Sequence, residues 1–292
     1  MTQHRSFIEN QLSDALGNAA EILDWQSLGG GCINHASKIL TSKGTFFVKW
    51  NEHGPADMFV REAECLNELR RVNTPLLFPQ VVVATELDKN PALLITDFLS
   101  PVSPSRQNEE MLGHGLALLH KYQNGQFGFY HDNYCGATQQ DNSWNSSWAQ
   151  FFAHQRIEYL VSLIDQKRSL TSNEKRVYDD FITRIPELIT HNPHPALNHG
   201  DLWSGNVMHT KNGPALIDPA SYYADREFDL GLMTMFSGFS SRVWHAYNET
   251  YPLPPEWTER NRMYMVYHYL NHDYLFGGGY GRQALSMAKQ FI

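Results

Sequence analysis

The chain has 292 residues, 42% hydrophobic and 13% aromatic, with a net charge of −8. That length buries a sizeable core in one domain or two lobes, and that composition excludes a disordered chain. The negative charge excludes non-specific nucleic-acid binding, which needs a basic face, and its ordinary consequence is solubility. Cys32, Cys65 and Cys135 are far apart, with no zinc-type pair and no disulfide framework. The first sixteen residues lack the apolar stretch of a signal peptide, and no window approaches 18 apolar residues. A cytoplasmic protein without membrane segments is expected.

Residues 5–20 read as a short amphipathic helix. In "SLGGGCINHASKILTSKGTFFVKWN", residues 27–51, Gly29, Gly30 and Gly31 disfavour a helix. An alternating strand, a "TSKG" turn and a second strand follow, giving a β-hairpin with a glycine-rich entrance. Residues 55–71 read as a helix with Phe59, Ala63, Leu66 and Leu69 on its apolar face. Further strands are expected in "PQVVVATEL" and "ALLITDFL". From Met111 onward the pattern is mostly helical, apart from a β-like patch at 197–219. The lobe boundary falls in "SPVSPS", which divides the chain into 1–102 and 103–292.

The patch carries "HGDLWSGN", residues 199–206, and an apolar run ending at Asp218. Asp201 can accept a proton from a hydroxyl group. The oxygens of Asn206 and Asp218 suit a hard divalent cation. Phosphoryl transfer needs that combination. Alone, Asp201 also fits a turn cap and Asp218 a strand end. Lys49 ends an apolar strand behind the glycine-rich turn, where a lysine can reach nucleotide phosphates and backbone N–H groups can cover them. At 100° per residue, Glu62 falls among Phe59, Leu66 and Leu69, while Glu64 and Glu68 fall on the opposite, polar face. A glutamate on a buried face wants a partner, and Lys49 is the best candidate.

The order of these parts is that of a protein kinase, with His199-Gly200-Asp201 and Asp218-Pro219-Ala220 in place of the His-Arg-Asp and Asp-Phe-Gly motifs. No Ala-Pro-Glu motif follows, which points to a small-molecule kinase. "GGGCINHA", "FFVKW", "HGDLWSGN", "IDPASYYADREFDLGLMTMFSGF" and "YLNHDYLFGG" together resemble the fructosamine kinase (ketosamine-3-kinase) family, within the aminoglycoside phosphotransferase-like group. The resemblance spans nearly the whole chain. It implies a two-lobed α+β fold of the protein-kinase type, with a small antiparallel-sheet N-lobe and a larger helical C-lobe. It also implies transfer of phosphate from ATP, with Mg2+, to the sugar 3-hydroxyl of small or protein-bound ketosamines, a repair of glycation.

Carried over by position, Asp201 resembles the proton acceptor, Asn206 and Asp218 the magnesium ligands, and Lys49 with Glu62 the phosphate-positioning pair. Asp97, Phe98 and Leu99 resemble the hinge that holds adenine through main-chain atoms. Trp203 can stack on a sugar face, or it can pack between the loop and a helix. His199 is read as a buried support and Asp229 as an anchor beneath the loop. His268 and His272 lie one turn apart and belong to the core or the pocket edge, with His272 the substrate-side candidate. Cys32, in the nucleotide loop, is a candidate redox-sensitive thiol. Two other functions fit the same residues: a kinase of another small hydroxylated or aminated molecule, or a non-catalytic nucleotide-binding module.

Overall fold

The computed structural model describes residues 2–29, 34–88 and 90–292. Helix α1 (Thr2–Leu16) precedes strands β1 (Ile22–Leu28), β2 (His35–Thr41) and β3 (Gly44–Asn51). Helix α2 (Met58–Leu69) and strands β4 (Val81–Thr85) and β5 (Ala92–Asp97) complete the N-lobe. The five strands form one antiparallel sheet in the order β1-β2-β3-β5-β4. Side chains alternate across a strand, and central β5 is buried on both faces. Leu93 and Ile95 pack with Val48 and with Ile8 and Leu12 of α1. Ala92 and Leu94 pack with Met58, Phe59, Ala63 and Leu66 of α2. Lys49 follows Val48, so it points to the α2 side.

The extended segment 98–105 leads to α3 (Arg106–His120), whose first turn is capped by the Ser105 hydroxyl. It is followed by β6 (Asn133–Cys135), β7 (Thr138–Gln140) and α4 (Trp148–Gln150). A π-helix (Phe151–Glu158) runs into α5 (Tyr159–Arg168), and α6 (Ser172–Leu188) starts with a Thr171/Glu174 capping box. The strands β8 (Ala196–Asn198), β9 (Val207–Thr210), β10 (Gly213–Leu216) and β11 (Tyr222–Ala224) form two ladders, β8 with β11 and β9 with β10. Helices α7 (Glu227–Met235), α8 (Ser241–Thr250), α9 (Trp257–Phe276) and α10 (Tyr280–Ala288) close the C-lobe. Its core includes Trp148, Phe152, Phe228 and Tyr264.

Three expectations change. The hairpin β2–β3 has a preceding partner, β1, so the glycine-rich stretch joins β1 to β2; Gly30, Gly31 and Cys32 lie outside the described residues. The β6–β7 hairpin interrupts the region expected to be helical. Glu68 is buried rather than on a polar face, because α2 packs against the C-lobe as well as the sheet. Glu68 accepts a hydrogen bond from the Tyr223 hydroxyl at 2.6 Å and pairs with Arg71.

Candidate active site

The ladders set two chain segments side by side. Pairing of Asn198 with Tyr222 and of Leu216 with Val207 leaves residues 199–206 and 217–221 as adjoining loops. The Ala220 N–H donates to His199 C=O at 2.9 Å, and the Ile217 N–H to Asn206 C=O at 3.1 Å. Gly200 has φ +85, and a Cβ there would lie 2.0 Å from the Ala220 carbonyl oxygen, so only glycine fits this crossing. Asp218 holds φ 55, a left-handed conformation that is costly for a residue with a Cβ.

Asp229 on α7 fixes the first of these loops. Its two carboxylate oxygens accept from the backbone N–H groups of His199 and Gly200 at 2.7 and 2.8 Å, and His120 lies 3.2 Å away. Burial works against the Asp229 charge, but the His120 hydrogen bond, the neighbouring histidines and the Gly200 N–H hold its carboxyl below the usual range. His199 is buried, which lowers its pKa. As a neutral imidazole, its Nε2 donates to Ile217 C=O at 3.0 Å and its Nδ1 accepts from the Asp201 N–H at 3.3 Å. It ties the two loops together.

Asp201 is half-buried. Burial, and next the charge of Asp218, push its carboxyl up to about 7, against the Asn206 hydrogen bond. Asn206 Nδ2 donates to the Asp201 carbonyl at 2.8 Å and to its carboxylate at 3.1 Å, which leaves the amide oxygen for another partner. Lys49 Nζ, buried, donates to both oxygens of Glu62 at 2.8 and 3.0 Å and to Asp218 Oδ1 at 2.9 Å. Burial opposes its charge, but Asp218 and Glu62 outweigh that and hold the ammonium above the usual lysine range. Glu64 instead pairs with Arg61 and His131.

Next to this cluster an apolar pocket of about 690 Å³, open mouth included, is lined by Phe47, Leu66, Leu94, Phe98, Met208 and Ile217 among others. Glu62 and Asp218 also line it, as do Asp97, Phe98 and Leu99. The Asp97 and Phe98 N–H groups bond to Gln80 and Thr45, whereas neither backbone group of Leu99 has a hydrogen-bond partner among the described residues. Gly29, at the end of β1, is exposed.

Trp203 does not pack into the core: it is 40% exposed and meets Phe236 edge-on at 6.1 Å between ring centroids. Phe236 in turn lies 4.9 Å from His272. His272 Nδ1 donates to His268 C=O at 2.8 Å, and His268 Nε2 to Phe228 C=O at 3.2 Å, so the two imidazoles are held apart by backbone partners. Burial lowers both pKa values, that of His268 to about 4. Cys65 and Cys135 are buried, with their thiols pushed up.

Sequence reasoning overlooked Phe236, Phe276, Met208 and Ile217. The left-handed turns after the two phenylalanines, at Ser237-Gly238 and Gly277-Gly278, were the only local signal. It also overlooked His191, Asp225 and Glu227, whose ligand atoms lie within 4.8 Å of one another. Arg260 already pairs with Glu227 of that cluster, with contacts of 2.7 and 2.8 Å, and Asp225 accepts from the Tyr264 hydroxyl at 2.6 Å.

The family model for fructosamine kinase matches residues 4–292. A protein of Vibrio parahaemolyticus named a probable ketoamine kinase is 39% identical over 289 residues, covering 98% of each chain. The chloroplastic protein-ribulosamine 3-kinase of Arabidopsis thaliana is 37% identical, over 94% of this chain and 85% of its own. A crystal structure of a candidate fructosamine-3-kinase from Haemophilus somnus superposes with a TM-score of 0.88 at 27% identity, over 98% and 96% of the two chains. No helix among the described residues is long and apolar enough to cross a membrane.

Proposed function

The chain belongs to the fructosamine kinase family, and from that premise we propose that it transfers the γ-phosphoryl group of ATP to the sugar 3-hydroxyl of a ketosamine. The observation that carries this reading is the convergence of Lys49, Glu62 and Asp218 beside an apolar pocket, with Asp201 and Asn206 joined by a hydrogen bond next to them. Phosphoryl transfer rests mainly on positioning and electrostatics, and this is a set of groups built for both.

In this reading the pocket takes the adenine, with the free backbone groups of Leu99 as its hydrogen-bond partners. Lys49, held by Glu62, positions phosphate oxygens. The Asp201 carboxylate accepts the proton of the substrate hydroxyl. Its place is fixed because Asp229 holds the backbone N–H groups of His199 and Gly200, the two residues before it. Trp203 offers an exposed indole face for the C–H surface of the sugar, two residues from the acceptor.

The donor set fits Mg2+. The Asn206 amide nitrogen is committed to Asp201, its oxygen is free, and the Asp218 carboxylate is exposed with a single oxygen on Lys49. Hard oxygen ligands of that kind suit magnesium, which when bound neutralises charge on the phosphates. Residues 1–102 form the nucleotide lobe and 103–292 the acceptor lobe on this assignment. Phosphate at O3 makes the ketosamine unstable and frees the amine, so the activity amounts to deglycation.

The test is turnover of ATP with magnesium on a panel of fructosyl-, ribulosyl- and erythrulosylamines, with aminoglycosides and choline alongside. Release of ADP with ketosamines, and a phosphorus resonance coupled to the C3 proton, is the expected result. Turnover confined to aminoglycosides or choline, or nucleotide binding without turnover, would replace this reading with one of the alternatives.

A further inference from the structure

Lys49 is held between two carboxylates from different parts of the chain, Glu62 on α2 and Asp218 in the loop between β10 and β11. The spacing of those two parts decides whether all three groups meet. α2 meets the N-lobe sheet through apolar side chains, and such contacts, being non-directional, fix its rotation only loosely. It meets the C-lobe through directed hydrogen bonds at three levels. At its start, Asp57 accepts from the Tyr134 hydroxyl at 2.8 Å. In its middle, the Cys65 thiol lies 3.8 Å from Ser221 C=O, and Asn133 Nδ2 donates to that carbonyl at 2.8 Å and to the Cys65 sulfur at 3.4 Å. At its end, Glu68 accepts from the Tyr223 hydroxyl at 2.6 Å. Ser221 and Tyr223 follow Asp218 closely in the chain, so α2 is bonded to the segment that carries the second partner of Lys49.

The bond at the end of α2 is the most demanding of these. Glu68 is buried, and a buried carboxylate is costly unless it is paired. One of its oxygens takes the Tyr223 hydroxyl and the other the Arg71 guanidinium at 2.8 Å. Tyr223 is itself fixed: its backbone N–H and C=O both bond to Gly128, and its ring lies among Tyr122, Phe129 and Trp144. Burial and the Glu68 hydrogen bond push its phenol up, so it remains a neutral donor. Six residues of helix place Glu68 about 120° around the axis from Glu62 and about 9 Å along it. A roll of α2 that carries Glu68 out to water therefore turns Glu62 away from Lys49.

We propose that Glu68 and Tyr223 are positioning residues for the phosphate site: their bond fixes the roll of α2, so that Glu62 meets Lys49 at the place where Asp218 also reaches it. This rests on the phosphate-positioning role given above to Lys49 and Glu62. Both residues act through α2 rather than on Lys49 directly. Without the Tyr223 hydroxyl, the Glu68 charge is left in an apolar surrounding of rings, and the least costly relief is a roll of the helix toward solvent. A small displacement of Glu62 is enough to loosen the ammonium that holds the phosphates.

The experiment is a double-mutant cycle, read both as Mg2+–ATP affinity by calorimetry and as kcat on a ketosamine, with thermal melts to establish folding. Tyr223→Phe should weaken Mg2+–ATP binding and lower kcat by roughly 3- to 5-fold each, with the ketosamine KM unmoved. Adding Glu68→Gln to Tyr223→Phe removes the charge that drives the roll and should recover most of that loss. Glu68→Ala, which lifts the restraint without leaving a buried charge, should give a smaller loss. In a Glu62→Ala background neither Tyr223→Phe nor Glu68→Ala should cost more than about 2-fold further, because the group they position is gone. Wild-type values for Tyr223→Phe, or losses of full size in the Glu62→Ala background, would overturn the proposal. A Glu62→Ala protein equal to wild type in both readouts would instead overturn the role of Glu62 on which it rests. Absence of turnover by wild type on any ketosamine would overturn the proposed activity alone, since the calorimetric cycle still decides the positioning claim.

Discussion

On the nucleotide side of the 199–206 loop, two charged groups are pinned by several partners each: Lys49 touches Glu62 and Asp218, and Asp229 holds two backbone N–H groups and faces His120. On the acceptor side of the proposed site, Trp203, Phe236 and Phe276 stand partly in solvent, Trp203 against Phe236 and Phe276 against His272. The first region is charged and, Asp218 apart, largely buried, so its geometry is held by electrostatics that water screens weakly. The second is apolar and open, and it costs little to alter. On the assignment proposed above, the groups for phosphate chemistry can thus stay fixed while the acceptor surface changes.

That contrast can be broken from the charged side first. Lys49→Ala should lower kcat about 10²-fold while circular dichroism shows a folded protein, because phosphate positioning is lost; turnover near wild type would remove Lys49 from the chemistry. Asp229→Ala leaves two buried N–H groups and His120 unpartnered, so both stability and kcat should fall, the former by about 3 kcal/mol in urea melts. Asp229→Asn, able to satisfy only part of this set, should lie between it and wild type. Glu62→Ala should cost about 10-fold or more in kcat/KM, while Glu64→Ala, whose partners are half-buried Arg61 and exposed His131, should stay within about 2-fold. Equal effects would mean that Lys49 is not held by Glu62.

The last effect concerns pH and falls on stability rather than on turnover. His268 is buried neutral, with its pKa lowered to about 4 from 6.5. The unfolded chain takes up this proton below pH 6.5 and the folded one does not until about pH 4. Stability is therefore lost as pH falls through that window, by about 3 kcal/mol at most. His268→Gln, which keeps a donor for Phe228 C=O, should flatten the pH dependence of the urea midpoint between 6.5 and 4.5. An unchanged slope would show that the imidazole is charged in the folded state.

The parts of this molecule that were legible in its sequence are those where a local period meets a single packing partner. Alternation in "FFVKW" assigns Val48 and Lys49 to opposite faces of the sheet, and the helical angle separates Glu62 from Glu64. Glu68 was misplaced because the same angle cannot reveal a second packing surface, here the Tyr223 side of the C-lobe. Strand β1 buries one side chain at the sheet edge, and β6 and β7 have three residues each, so none shows a usable period. Asp229 could be expected under the loop, but its bonds to His199 and Gly200 depend on the pairing of β8 with β11. The exposed rings of Trp203, Phe236 and Phe276 were not legible as a group. Phe236 and Phe276 are far apart in sequence and meet only through His272, after two left-handed turns.

The separation of chemistry from recognition is tested most directly by steady-state kinetics of Asp201→Asn and Trp203→Ala, with ATP and ketosamine each varied at saturating levels of the other. Asp201→Asn should lower kcat by about 10²-fold or more with both KM values nearly unchanged, because shape is kept and the proton acceptor is lost. Trp203→Ala should raise the ketosamine KM, with a smaller loss in kcat and an ATP KM that does not move. Near-normal kcat in Asp201→Asn, or a Trp203→Ala defect that appears in the ATP KM, would contradict the account.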